Sequence, residues 1–158
     1  MRNCLKYFKK TSGFTLIELL VVIGILAILL SIVLIAINPA RQFGQANDTR
    51  RRSEVTQILN AIGAYAADNR GVLPAAISAL ADNTPTAISD TGANICADLV
   101  PNYIPALPQD PQQGTGTAIT DCAVAYDTGY EVAHDAGGRI TVSAPLTEQA
   151  TPDISNTR

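Results

Sequence analysis

Residues 9–20 read Lys-Lys-Thr-Ser-Gly-Phe-Thr-Leu-Ile-Glu-Leu-Leu and stand at the mouth of the only long apolar run in the chain. From position 14 to position 37, 24 residues, the only polar side chains are Thr15, Glu18 and Ser31. A helix of that length reaches roughly 36 Å at about 1.5 Å per residue, enough to cross a hydrocarbon core of about 30 Å. The sequence therefore predicts one membrane-spanning helix over residues 14–38. A single carboxylate near its start is out of place. An acidic side chain costs about 3 kcal/mol at the centre of a membrane helix, and less near the ends. Glu18 needs a partner, and its own helix offers no cation within reach after Lys10.

The segment ahead of the run, residues 1–13, is short, basic and free of acidic side chains. An ordinary secretory signal has a similar charged start, but its apolar region is about 7–15 residues long and ends in a small-residue cleavage site. Here the run is longer and ends in Ile35-Ala36-Ile37-Asn38-Pro39, so the anchor is expected to be kept. Basic residues do not orient it by number: Arg2, Lys6, Lys9 and Lys10 precede it, and Arg41, Arg50, Arg51 and Arg52 follow.

Gly13-Phe14-Thr15-Leu16-Ile17-Glu18, preceded by lysines and followed by an unbroken apolar helix, resembles the N-terminal signal of type IV pilins and type II secretion pseudopilins. The close resemblance covers about the first third of the chain. It implies that prepilin peptidase cuts between Gly13 and Phe14 on the cytoplasmic side, so that the N-terminus lies inside. It further implies that Phe14 is then N-methylated, and that Glu18 pairs with the terminal amine of a neighbouring subunit during filament assembly. The implied partners are further copies of the chain in a helical homo-polymer, the peptidase, and an inner-membrane assembly platform with its ATPase. The implied location is the inner membrane, crossed once with the head outside the cytoplasm, and then an extracellular or periplasmic filament.

The 158 residues leave room for one domain, about 120 residues once leader and anchor are set aside. Four of the eleven basic residues and none of the fourteen acidic ones precede Gly13, so a cut there takes the net charge from −3 to −7. An acidic body argues against nucleic-acid binding. Of the three cysteines, Cys4 leaves with the leader. Cys96 and Cys122 remain, an even pair in a part expected outside the cytoplasm, where disulfides persist. They are read as a disulfide joining a loop before the sheet to its first strand, against the alternative of two unpaired buried thiols.

Pro39 lacks an N–H and its ring would clash with the carbonyl of Ile35, which predicts a kink or short break at the end of the anchor. Helical signal resumes over residues 39–71. Val55, Ile58, Leu59, Ile62, Tyr65 and Ala66 recur at spacings of three and four, an amphipathic stripe, and Asn69, Arg70 and Gly71 end it. Residues 72–146 are expected to form a globular head. Residues 75–82 allow a short helix, 83–94 are polar and turn-rich, and 97–104 allow another helical turn. Residues 103–111, Tyr-Ile-Pro-Ala-Leu-Pro-Gln-Asp-Pro, must be an extended loop and resemble a segment of major pseudopilins. Three antiparallel strands are expected at 118–126, 129–134 and 139–144, joined by turns at 127–129 and at Asp135-Ala-Gly-Gly138. Residues 147–158 read as a frayed, flexible tail. The fold class is α+β and pilin-like: a long N-terminal membrane-spanning helix packed against a small antiparallel β-sheet head.

Nothing in the sequence points to catalysis. His134, the only histidine, falls on a strand beside a glycine turn and reads as an edge imidazole, and no glycine-rich phosphate loop or Cys-x-x-Cys occurs. Asp110, Asp121, Asp127 and Asp135 lie in or beside loops, a setting that calcium uses. No cofactor is assigned; calcium is the one metal left open, and no residue is named as its ligand. Arg50-Arg51-Arg52 is read as a solvated helix face making charge pairs between packed subunits, helped by Asp48 and Glu54, rather than as a grip on DNA or lipid. The expected function is a prepilin-like structural subunit that polymerises into a type IV pilus or type II secretion pseudopilus. The rival is a single-pass, membrane-anchored periplasmic binding module that does not polymerise.

Overall fold

The computed structural model describes residues 13–158. The chain divides into two compact units, one ending at Pro39 and the other running from Ala40 to Arg158. The leader residues ahead of Gly13, with Cys4 and the lysines, lie outside the described residues.

The first unit contains a single helix, α1 (Leu16–Ile37). Every one of its residues is exposed. An all-round apolar helix of this length is long enough to cross a membrane. The chain leaves helical geometry at Asn38, which takes a left-handed conformation at φ 48°. The next helix starts at Pro39, where a missing N–H costs nothing because the first turn has no intrahelical acceptor for it. The expected interruption is thus one residue wide.

The second unit is built on α2 (Pro39–Asp68). Val55, Ile58, Leu59 and Ile62 are buried in it, as the stripe predicts, with Ala61 beside them; Tyr65 packs at the edge of the core and Ala66 is half-buried. The helix ends where Arg70 and Gly71 take positive φ, at 57° and 88°, and the Gly71 N–H returns to the Ala66 carbonyl. Two short helices follow, α3 (Ala75–Ser78) and α4 (Cys96–Leu99).

The sheet departs from expectation in four places. It has four antiparallel strands in the order β1 (Thr86–Ser89), β2 (Asp127–His134), β3 (Ile140–Ala144) and β4 (Ile154–Thr157). The first strand therefore comes from the polar 83–94 stretch. Residues 118–126 form no strand; Ile119 makes one isolated bridge to Leu107, and Cys122 is drawn off to the disulfide. Residues 127–129 are not a turn but the start of β2, with Gly129 at φ 75°. The expected flexible tail is the fourth strand, pairing Ala144 with Ile154 and Thr141 with Thr157. The Asp135–Gly138 hairpin turn stands where the glycines place it. Asp135 Oδ1 accepts the Gly137 and Arg139 N–H groups, both at 2.9 Å, and Gly138 takes φ 80°.

Alternation along the strands sets the two faces. Tyr130 and Val132 of β2 and Ile140, Val142 and Ala144 of β3 are buried, with Ile88 and Ile154 from the outer strands. Together with the apolar residues of α2 they make one core. Burying a side chain such as Ile58 or Ile62, neither exposed at all, stabilises the fold by about 1.5–3 kcal/mol each.

Candidate functional site

The sequence singles out Gly13, Phe14 and Glu18, and the structure gathers them at the start of α1. Helical geometry begins only at Leu16, because Thr15 is the N-cap, extended at φ −76° and ψ 151°. Thr15 Oγ1 accepts the Glu18 backbone N–H at 3.3 Å. In return Glu18 Oε2 accepts the Thr15 N–H at 2.8 Å and the Thr15 hydroxyl at 2.7 Å. This reciprocal capping box satisfies two of the orphan donors that any helix N-terminus leaves. It also places a carboxylate at the positive end of the helix macrodipole.

Two consequences follow for this end of the chain. The Gly13–Phe14 peptide lies outside the helix, in exposed backbone, and Phe14 is 83 % exposed. Glu18 is not partnerless in its own chain, as the absence of a nearby cation had suggested. It has two local donors from Thr15, both on Oε2, and Oε1 takes no part in the box. The third polar side chain of the run, Ser31, is likewise satisfied locally, donating to the Ala27 carbonyl at 2.8 Å.

In the second unit the reading of Arg50-Arg51-Arg52 as a solvated face holds for Arg50 and Arg52, which are exposed, and fails at Arg51. Arg51 is fully buried. Its Nε and Nη2 clasp the two oxygens of Asp110 at 2.6 and 3.0 Å, Nη1 meets Asp48 at 2.9 Å and Glu148 at 3.2 Å, and Nη2 reaches Gln112 Oε1 at 3.3 Å. Asp48 in turn accepts the backbone N–H groups of Glu148, Gln149 and Ala150 at 3.0, 2.7 and 2.9 Å. Burial alone would raise the Asp48 pKa; those three N–H groups and the Arg51 guanidinium hold it instead at about 2. Arg50 is engaged too, with Glu54 at 2.6 Å and the Gly116 carbonyl at 3.1 Å. Glu54 also accepts the hydroxyl of the buried Tyr130, whose own pKa is raised first by burial and then by that carboxylate. These contacts tie α2 to the 109–116 loop, to β2 and to residues 148–150. No three consecutive arginines are left to form a basic grip.

Sequence reasoning missed Asp48 and Arg51 as core residues because it began the buried stripe at Val55. The signal was present: positions 44, 48, 51, 55, 58 and 62 share one helix face, and all six are buried. The face is apolar in its second half and charged in its first, with opposite charges three residues apart.

Cys96 and Cys122 are joined, with Cα atoms 5.5 Å apart. The bridge runs from α4 to irregular chain before β2, not to a strand. Beside it, Tyr126 Oη accepts the Cys96 N–H at 3.4 Å and donates to Asn94 Oδ1 at 2.9 Å. The loop aspartates do not converge. Asp110 faces Arg51, Asp121 and Asp127 each accept a backbone N–H two residues on, and Asp135 holds its hairpin turn and Arg139. Among the described residues no group of three histidine, cysteine or acidic side chains is placed to hold a metal.

Residues 8–34 match the family model of the prokaryotic N-terminal methylation motif. That motif is the prepilin-type cleavage and methylation signal of type IV pilins and pseudopilins. The match covers about a sixth of the chain. No curated protein and no solved structure matches the chain.

Proposed function

From the prepilin-type signal that this chain carries, we propose that it is a pilin-like structural subunit made as a membrane-anchored precursor. In this reading α1 holds the precursor in the inner membrane, crossing it once, with the second unit outside the cytoplasm. Prepilin peptidase cuts between Gly13 and Phe14, and Phe14 is methylated on its new amine. An assembly platform with its ATPase then draws the subunit into a helical homo-polymer, a type IV pilus or a type II secretion pseudopilus. The helices α1 bundle in the filament core and the second units face outward.

The observation that carries this reading is the placement of the matched motif: the Gly13–Phe14 peptide lies in exposed, non-helical backbone directly before an apolar helix. The exposed surface of α1 needs lipid before assembly and other helices after it. Glu18 stands one turn inside the new terminus, and a carboxylate in an apolar bundle is tolerable only when paired. The amine of an incoming subunit is a suitable cation.

Intact-mass measurement of the membrane-extracted protein tests the processing step. The expected mass is that of residues 14–158 plus one methyl group, and Gly13→Val is expected to leave the full-length precursor. A wild-type chain that keeps its first thirteen residues would overturn the reading in favour of a membrane-anchored binding module.

A further inference from the structure

His134 ends β2 with its imidazole set among oxygen atoms on both sides. Nε2 lies 2.9 Å from the Leu80 carbonyl oxygen. Nδ1 lies 3.4 Å from the Asp135 carbonyl oxygen and 3.5 Å from Asp82 Oδ1. A carbonyl cannot donate, so the Leu80 contact requires a proton on Nε2. In a neutral ring Nδ1 then turns a lone pair towards two more oxygens. Only the imidazolium supplies a proton to each side.

The backbone joins the same two segments: Asn83 donates to the His134 carbonyl at 2.7 Å, and Thr84 closes the turn by donating to Ala81 at 3.1 Å. The charged groups around the ring are few. Asp82, 56 % exposed, comes from the connection after α3. The Asp135 carboxylate, in the hairpin turn, is turned to Arg139 Nε at 2.7 Å. The helix α3 itself carries no charge, and the residue paired with His134 on β3 is Ile140.

We propose that His134 is a proton-operated latch: protonated, it adds a tie through Asp82 between the turn at residues 81–84 and the end of β2, and losing its proton loosens that turn while the Leu80 bond and the Asn83 backbone bond remain. The hydrogen bond to Leu80 and then that to Asp135 raise the affinity of the ring for its proton, Asp82 adds to them, and burial opposes. A raised folded-state pKa fixes the sign. The tie is complete below the unfolded value of about 6.5 and is lost as pH rises through the folded one.

Amide exchange measured by NMR on the full chain in detergent micelles, corrected for intrinsic rates, tests the latch. Protection at Asn83 and Thr84 is expected to fall about two- to fivefold as the His134 ring signals titrate. His134→Gln, which keeps a donor towards Leu80, should show no such step. Asp82→Asn, at an exposed position that leaves the strand untouched, should move the ring titration to lower pH. Constant protection across the wild-type titration, an equal step in His134→Gln, or an unmoved titration in Asp82→Asn would each overturn the proposal.

Discussion

Arg51 and Asp110, 59 residues apart in sequence, meet as a bidentate pair at 2.6 and 3.0 Å with neither side chain exposed. Arg51→Ala would strand both Asp110 and Asp48 in the interior. The expected loss of unfolding free energy is about 3–5 kcal/mol, read from urea denaturation. Arg51→Lys should recover only part of it, because an ammonium cannot present the planar fork that the two carboxylates share. Arg50→Ala, at the half-exposed neighbour, should cost about 1 kcal/mol or less. Equal losses at positions 50 and 51 would contradict the difference in burial.

Asp48 gives the second unit an acid limit. Its pKa is lowered from 3.8 to about 2, so the stability it contributes is complete above pH 4 and is lost as pH falls through 2. The contribution is about 2 kcal/mol. Melting temperature followed from pH 5 to pH 2 should fall for the wild type. Asp48→Asn should start lower and fall less steeply over the same range, because its side chain has no proton to take up.

The Cys96–Cys122 bridge closes a loop of 26 residues, and that loop carries Asp110. A chain-entropy estimate puts its contribution at about 3–4 kcal/mol. Replacing both cysteines with serine should lower the denaturation midpoint accordingly. Alkylation of the unreduced protein should label neither position, and label at either would rule the bridge out.

Under the proposed function, Glu18 should matter for assembly and not for insertion. Glu18→Ala makes the anchor more apolar, so the variant should insert and be cut after Gly13, yet enter filaments poorly. Glu18→Gln should be nearly as poor, because it keeps the shape and loses the charge; removing one partner of a buried pair costs about 3–5 kcal/mol. Thr15→Ala is a milder case. It removes the hydroxyl from the capping box at a cost of about 1 kcal/mol and leaves the carboxylate in place. Filament yield in sheared fractions, beside mature protein in the membrane, reads all three. Wild-type yields from both Glu18 variants would remove the carboxylate from assembly.

The helices and the hairpin turn were legible because each has a local cause. A 24-residue apolar run, a three-and-four spacing from Val55 to Tyr65, and glycines after Asp135 announce themselves within a dozen residues. The outer strands were not. Thr86–Ser89 and Ile154–Thr157 each bury little beyond one or two side chains, and their strand geometry comes from the neighbours they pair with. Residues 118–126 have strand-like composition, but the Cys122 bridge draws them away from the sheet. Arg51 was hidden by its own charge. A guanidinium is read as solvated until three acidic partners, two of them distant in sequence, are found around it. In the first unit, Thr15 escaped notice because a search for cations does not find a hydroxyl and an amide that serve the same carboxylate.

The charged half of α2 has a kinetic side. Arg51 waits for Asp110, and Asp48 for the amides of residues 148–150, about one hundred residues further along the chain. A chain delivered N-terminus first therefore has α2 in hand, with only the Arg51–Asp48 pair within it, long before its distant partners arrive. Contacts of such long sequence separation form late and slowly. Until residue 150 has emerged, the Asp48 carboxylate lacks the three amides that complete its burial, and the unit around α2 should be open to proteases.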